Sequence, residues 1–295
     1  MELSPRLAAA LKADRIARIV LIRPDRVGDL LWATPALRAL RRRFPRAHLA
    51  VLASRYAREV VARSPQVDAV WTLDARGLAP RRAWARGRAA SALRAEGFDL
   101  ALAPSRAHVE IARAARVPFI VGTGPGLDAE LPDPWPGHEA ERDLALARAL
   151  GAEPEPPRFD FPIRDDEHRW ADEYLAGLGV QDGTPLLGIH PGCQRWVRKP
   201  WRGLAGGSTH RWKLWPPERH AALARRFVER TGGRVLVTGL PAEAPLMDAV
   251  VRAGGPGVLP AWEAESLGRL AALLTRLDVL VSGDTGPMHL ATAVG

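Results

Sequence analysis

The chain alternates short, uninterrupted apolar runs with longer segments of helical periodicity. Arg18 to Arg23 (RIVLIR) has a wholly apolar interior between two arginines, the pattern of a strand buried on both faces. A short loop from Pro24 to Gly28 follows. A helix is then predicted from about Asp29 to Phe44, with Leu30, Leu31, Ala33, Leu37 and Leu40 on its apolar side and Pro45 ending it. His48–Ala53 and Val67–Leu73 read as further strands, separated by a short helix over Tyr56–Arg63. Arg81–Glu96 is rich in Arg and Ala and reads as helix. Phe98–Ala103 is a strand, His108–Ala115 a helix and Val117–Val121 a short strand. Gly122–Gly137 is rich in Gly and Pro, lacks periodicity and reads as loop, with Gly122, Gly124 and Gly126 as loop glycines. His138–Leu150 is predicted helical, ended by Gly151.

The stretch Glu153–Pro157 (EPEPP) is the best linker, and a second alternating unit follows it. Its strands are Leu186–His190, Arg234–Thr238 and Asp278–Ser282. Its helices lie near Asp166–Leu178, Pro217–Thr231, Ala242–Arg252 and Leu267–Leu274. The expected fold class is α/β: two Rossmann-like domains in tandem, over 1–155 and 156–295, each with a parallel sheet whose carboxyl edge can hold a ligand. In a two-domain arrangement those edges can face each other across a cleft. The chain stops at Gly295, barely two turns into the helix after Gly283–Gly286, where a doubly wound domain would place another strand. The expectation is either a fragment of a longer chain or an unusually short second domain.

Composition narrows the class. The 295 residues are 47% apolar and 25% charged, as in a soluble globular protein. No apolar run approaches the roughly 20 residues that span a bilayer, and the N-terminus has no signal-peptide core. The single cysteine, Cys193, excludes an internal disulfide and suits a reducing cytoplasm. The net charge of +9 comes almost wholly from arginine, since lysine occurs only at Lys12, Lys199 and Lys213. That balance favours phosphates or an anionic lipid surface as partners. No zinc-finger spacing or RNA-recognition motif is present, so nucleic acid is not expected.

Three loops carry the candidate chemistry. Arg23-Pro24-Asp25-Arg26-Val27-Gly28-Asp29 leaves the first strand. Asp29 there is either an ordinary helix-start carboxylate or a general base facing a cleft, flanked by Arg23 and Arg26, with Gly28 allowing the turn. Gly283-Asp284-Thr285-Gly286-Pro287-Met288-His289 joins the last strand to a helix. Thr285 or Gly286 can be its N-cap, and Pro287 suits the first turn. Backbone N–H groups beside a hydroxyl, a carboxylate and an imidazole form a setting for a phosphate. The third loop, between His190 and Pro216, is basic and rich in tryptophan, and contains Arg195, Arg202, Thr209 and Lys213. It can bind a phosphate chain or touch an anionic membrane surface. Glu243, near the end of the Arg234–Thr238 strand, can accept hydrogen bonds from ribose hydroxyls or simply favour a helix start. The histidines lack metal-ligand spacing, so no metal is expected.

Taken together these segments resemble glycosyltransferase family 9, the ADP-heptose:lipopolysaccharide heptosyltransferase family. The resemblance rests on Ile22–Asp29 with Thr34–Arg38, on Ile189–Gly192, on Lys213–Glu218 and on Ser282–Ala291, in that order along the chain. It implies the GT-B architecture, with the acceptor on the N-terminal domain and the nucleotide sugar on the C-terminal domain. It implies an inverting transfer of a sugar, a heptose from ADP-heptose, onto a lipopolysaccharide core or related glycan. Asp29 matches the proposed general base. Thr209, Lys213, Glu243, Asp284, Thr285, Gly286 and His289 match donor-site positions, with Glu243 at the nucleoside. The donor is a co-substrate, and no cofactor is implied. The helix N-terminus and the nearby arginines are expected to keep Asp29 ionised and weakly basic. Two features depart from the family pattern: a longer loop before Lys213 and the early stop at Gly295. A nucleotide-sugar epimerase of the same architecture and a non-catalytic sugar-nucleotide-binding protein are the alternatives. The expected location is cytoplasmic, peripheral at the inner face of the plasma membrane.

Overall fold

A computed structural model describes residues 2–74, 79–153, 155, 158–193, 214–261 and 264–295. The chain divides into two compact units, Met1–Phe161 and Pro162–Gly295. The first unit runs past the Glu153–Pro157 stretch because the following residues pack back on it. The Asp160 N–H donates to Thr34 Oγ1 at 3.0 Å, the Asp160 carboxylate pairs with Arg38, and Phe161 is buried beneath the Arg63 guanidinium.

In the first unit α1 (Pro5–Lys12) precedes β1 (Arg18–Arg23), α2 (Val27–Trp32), α3 (Thr34–Arg43), β2 (His48–Ser54), α4 (Glu59–Ala62), β3 (Ala69–Leu73) and α5 (Ala79–Glu96). Then come β4 (Leu100–Ala103), α6 (Arg106–Ala114), β5 (Phe119–Thr123), β6 (Ala129–Leu131) and α7 (Glu139–Ala149). The six strands are all parallel, in the order β3-β2-β1-β4-β5-β6. Continuous burial along β1, β2 and β4 explains their unbroken apolar sequences, because helices cover both faces of the sheet. One face packs Ile22, Leu52, Leu93, Phe98 and Val109 into a common core.

The predicted single helix over Asp29–Phe44 is two helices. Pro35 has no N–H for an uninterrupted ladder, and the chain restarts α3 at Thr34, whose hydroxyl donates to Leu31 O at 2.7 Å. The predicted Gly122–Gly137 loop contains β6, only three residues long and too short to show a period. Gly122 is a strand residue, not a loop glycine. A Cβ there would run into the Ala103 carbonyl of the neighbouring strand.

The second unit has α8 (Asp165–Gly177), β7 (Leu186–His190), α9 (Pro217–Thr231), β8 (Arg234–Thr238) and a 3-10 turn over Pro241–Glu243. It continues with α10 (Ala244–Gly254), β9 (Val258–Ala261), α11 (Leu267–Leu274), β10 (Val279–Ser282) and α12 (Gly286–Val294). Its four described strands are parallel, in the order β10-β7-β8-β9. Leu187, Ile189, Val235, Val237, Met247 and Val250 form the core on one face. The edge strand β10 is only half-buried, and Val279 is exposed. Among the described residues no helix is long and apolar enough to cross a membrane.

Candidate active site

Both sheets reverse their strand order next to their first strand, and the loops at the carboxyl ends of such switch points are where open α/β sheets bind ligands. In the first unit the reversal lies between β1 and β4, so the loops leaving Arg23 and Ala103 meet there.

Arg23 closes β1 with a side chain only 3% exposed. Its guanidinium faces Asp25 at 3.5 Å, Glu139 at 3.5 Å and Asp143 at 3.3 Å. Asp25 in turn stands 3.4 Å from Nε2 of His108, a buried residue in the first turn of α6. Asp29 sits at the third position of α2, where its carboxylate accepts the Arg26 N–H at 3.1 Å. Gly28 is buried in the same turn and Arg26 is exposed. The sequence reading thus located Asp29 with Arg23, Arg26 and Gly28 in one loop but missed the roles of Asp25, His108, Asp143 and Glu139. Asp25 lay inside the motif without a part assigned to it, and Glu139 and Asp143 come from far along the chain. Both lie on α7, which packs on α2 and α3. Asp143 had a detectable signal: it occupies the buried face of α7 with Ala140, Leu144 and Ala147, where an acid is out of place.

The electrostatics correct one expectation. Burial pushes the Asp29 carboxyl above the ordinary aspartate value and outweighs the Arg23 charge and the Arg26 N–H, with the Asp25 charge adding to the rise. Asp29 is therefore a stronger base than its place at a helix N-terminus suggests. Asp25 goes the other way: burial raises it, but the facing His108 and the charges of Arg23 and Arg26 win and hold it low. Asp143 has a fully buried side chain, and burial pushes it up to about 7 against the pull of Arg23, helped by Asp25 and Glu139.

In the second unit the reversal lies between β7 and β10. Ser282 pairs in register with His190, and His190 Nδ1 lies 3.2 Å from Thr238 Oγ1 at the end of β8. Burial drives the His190 imidazole down to about 4, so it is neutral at physiological pH. Beyond these strand ends Pro191, Gly192 and Cys193 turn away under cover. Glu243 is fully enclosed, accepts the Leu240 N–H at 2.9 Å, and is pushed upward by burial against that hydrogen bond. Its carboxylate occupies the space that a side chain at Gly192 would take. The His190-Pro191-Gly192 turn and Glu243 therefore form one wall.

Across the switch point, Thr285 is the residue before α12, with extended backbone. Its hydroxyl does not cap the helix. It meets Ser282 Oγ at 2.9 Å and donates to Gly283 O at 3.3 Å, which braces the turn. Thr285 holds the N-cap position, Gly286 is the first helical residue, and Pro287 lies in the first turn as expected. His289 Nε2 lies 3.4 Å from Asp284 Oδ1, which ties the exposed carboxylate to the first turn. Thr209 and Lys213, with the Arg195–Arg202 stretch, lie outside the described residues. Among the described residues no group of three or more His, Cys, Asp or Glu side chains is arranged to hold a metal.

Two parallel α/β units, each with a polar cluster at its switch point, are the build of the GT-B class. The sequence model of glycosyltransferase family 9 (heptosyltransferase) matches residues 127–295, more than half of the chain. The chain belongs to that family. It is 24% identical to lipopolysaccharide heptosyltransferase 2 of Salmonella typhimurium over 94% of this chain and 80% of that protein. In fold it is similar to the family 9 glycosyl transferase of Veillonella parvula, at a TM-score of 0.79 and 22% identity, with 100% of this chain and 80% of that one covered. It is also similar to ADP-heptose lps heptosyltransferase II of E. coli, at a TM-score of 0.70 and 21% identity over 94% and 82% of the two chains. E. coli heptosyltransferase WaaC, solved with ADP-2-deoxy-2-fluoro heptose, matches at a TM-score of 0.66 and 20% identity, with 94% and 86% covered.

Proposed function

We propose that this chain transfers a heptose from ADP-heptose to a hydroxyl of a lipopolysaccharide core or related glycan, with inversion at the anomeric carbon. The observation that carries the reading is Asp29, a half-buried carboxylate of raised proton affinity at the β1/β4 switch point. The acceptor oxygen attacks the anomeric carbon and passes its proton to Asp29. The bond from that carbon to the diphosphate oxygen breaks, and the nucleoside diphosphate leaves with the electron pair. Arg23 and Arg26 balance the charge around the base.

On the donor side, Lys213 and the backbone N–H groups at the start of α12 meet the charge that develops on the leaving diphosphate. Thr209, Asp284, Thr285, Gly286 and His289 complete that face, and Glu243 stands at the nucleoside end, where its enclosed carboxylate supports the Gly192 and Leu240 backbone that would meet the nucleoside. The nucleoside diphosphate sugar is a co-substrate, and the scheme uses no cofactor and no metal. Support for an ADP-linked donor comes from the WaaC structures, one with ADP and one with a fluorinated ADP-heptose. Support for the glycan acceptor comes from the Salmonella relative's name.

Asp29→Asn is expected to abolish transfer, followed as ADP release, and to leave ADP affinity by calorimetry within about threefold. Persisting transfer, or a collapse of ADP affinity, rejects the base assignment. A thermal-shift comparison of ADP, UDP and GDP tests the donor, with ADP expected to stabilise most.

The same reading places the enzyme in the cytoplasm, at the inner face of the plasma membrane. The contact we favour is the face of α5 that carries Trp84, 67% exposed, with Arg81 and Arg88 one turn to either side of it and both exposed. Cations beside an aromatic suit an anionic interface. Sedimentation with phosphatidylglycerol vesicles, lost in a variant with Trp84 and these arginines replaced by Ala and Gln, tests it. Equal binding by the two proteins rejects it.

A further inference from the structure

We propose that Asp143 is a positioning residue for Asp29: from α7 it shares the Arg23 guanidinium with the base and sets how much of that positive charge Asp29 feels. The inference rests on the reading of Asp29 as the base, but its test does not require transfer.

One buried guanidinium serves Asp25, Glu139 and Asp143 by direct contact, and Asp29, on the α2 helix that packs against α7, feels its charge without touching it. Asp143 has no access to water, and neither of its oxygens has a hydrogen-bond donor in good geometry. Its ionisation is therefore answered by Arg23 in direct contact, with the charge of Arg142 adding to it. When Asp143 is neutral, Arg23 is available to hold Asp29 as the anion. When Asp143 is charged, it cancels part of that field, and Asp29 becomes the stronger base.

The other charges around Asp143 can be named. Arg142 and Glu139 share its helix, with Arg142 Nη2 3.2 Å from Glu139 Oε1. Arg23 reaches it from β1 and Asp25 from the following loop. His108 on α6 acts through Asp25, and Arg26 lies beside Asp25 and Asp29. The arginines of α3, which also packs on α7, are engaged elsewhere: Arg38 with Asp160, Arg41 with Asp68, Arg42 with Glu155 and Arg43 over the Phe44 ring. Glu130 on β6 accepts the Gly126 N–H at 2.7 Å. With burial pushing it to about 7, Asp143 changes charge in the neutral range, where an ordinary aspartate would not.

The test is a carboxyl-carbon NMR titration of the full chain labelled with [γ-13C]aspartate, with the Asp29 signal identified by its loss in Asp29→Asn. The expected Asp29 curve has two steps: its own ionisation and a second shift near pH 7 as Asp143 ionises. In Asp143→Asn the second step disappears. A single-step curve in the unaltered protein, or a second step that survives Asp143→Asn, overturns the proposal. Should Asp143→Asn not fold, His108→Gln and His138→Gln decide, since His138 at the start of α7 lies 4.8 Å from the Trp32 ring of α2: a neutral-range step that persists in both supports Asp143, and one that vanishes in either assigns it to that imidazole and overturns the proposal. Transfer that survives in Asp29→Asn while the two-step curve stands rejects the base reading alone.

Discussion

Gly192→Ala probes the wall of the donor-side cluster. A methyl group at residue 192 would overlap Oε1 and Cδ of Glu243 and stand 2.9 Å from Oε2. The surroundings give little room, since Gly192, its neighbours Pro191 and Cys193, and Glu243 are all buried. The carboxylate must retreat by roughly 1 Å, which takes the 2.9 Å bond from the Leu240 N–H out of hydrogen-bond range. Overpacking of this kind costs about 1–3 kcal/mol, and the lost hydrogen bond about 1 kcal/mol more. The sum is about 2–4 kcal/mol. Near the unfolding midpoint, a unit of this size loses about 3 °C per kcal/mol, so Tm is expected to fall by about 6–12 °C. Calorimetric scanning reads that shift, and ADP titration reads the displaced carboxylate as an affinity loss of about tenfold or more. A Tm within 2 °C of the parent, with unchanged ADP affinity, would refute the idea that Gly192 is glycine to admit Glu243.

Three further outcomes follow from the packing and the charges. Asp143 holds its proton up to about pH 7 when folded, whereas an ordinary aspartate loses it at about pH 4, so the folded state binds more protons between those limits. Stability of the first unit should therefore fall by about 4 kcal/mol from pH 4 to pH 7 and level off above. Urea melts of Asp143→Asn, compared with the parent across that window, should show a flatter profile; parallel profiles would contradict it. Thr34→Val removes a buried hydroxyl that donates to Leu31 O and accepts from the Asp160 N–H. It should cost about 2 kcal/mol in the same melts, and a neutral effect would show that the segment after residue 157 adds nothing to the first unit. Leu93→Ala opens a cavity under α5 at a fully buried site. Its expected cost is about 2–5 kcal/mol, and less than 1 kcal/mol would indicate a core that collapses freely.

Much of the architecture could be read from periodicity. β1, β7, β8, α9 and α11 lie where the apolar runs and helical spacing put them, because buried parallel strands and amphipathic helices carry unmistakable patterns. The failures are short or interrupted elements. β6 has three residues, β9 contains Pro260, and α1 was not anticipated. The break between α2 and α3 was marked by Pro35, but the apolar stripe runs through it. At the site, Asp29 and the Gly283–His289 turn were visible because each is a contiguous motif at a strand end.

What the sequence determined by itself was the alternation of strands and helices and the loops that carry chemistry, since both are local properties of spacing and residue type. Only the tertiary structure decided the strand order, and with it which loops share a switch point. It also decided that α7 brings Asp143 against Arg23, 120 positions away along the chain. The proton affinity of Asp29 was decided there too. Desolvation depends on what surrounds a carboxylate in space, and at Asp29 it outweighs the arginine charge and the helix-start N–H that the sequence alone displays.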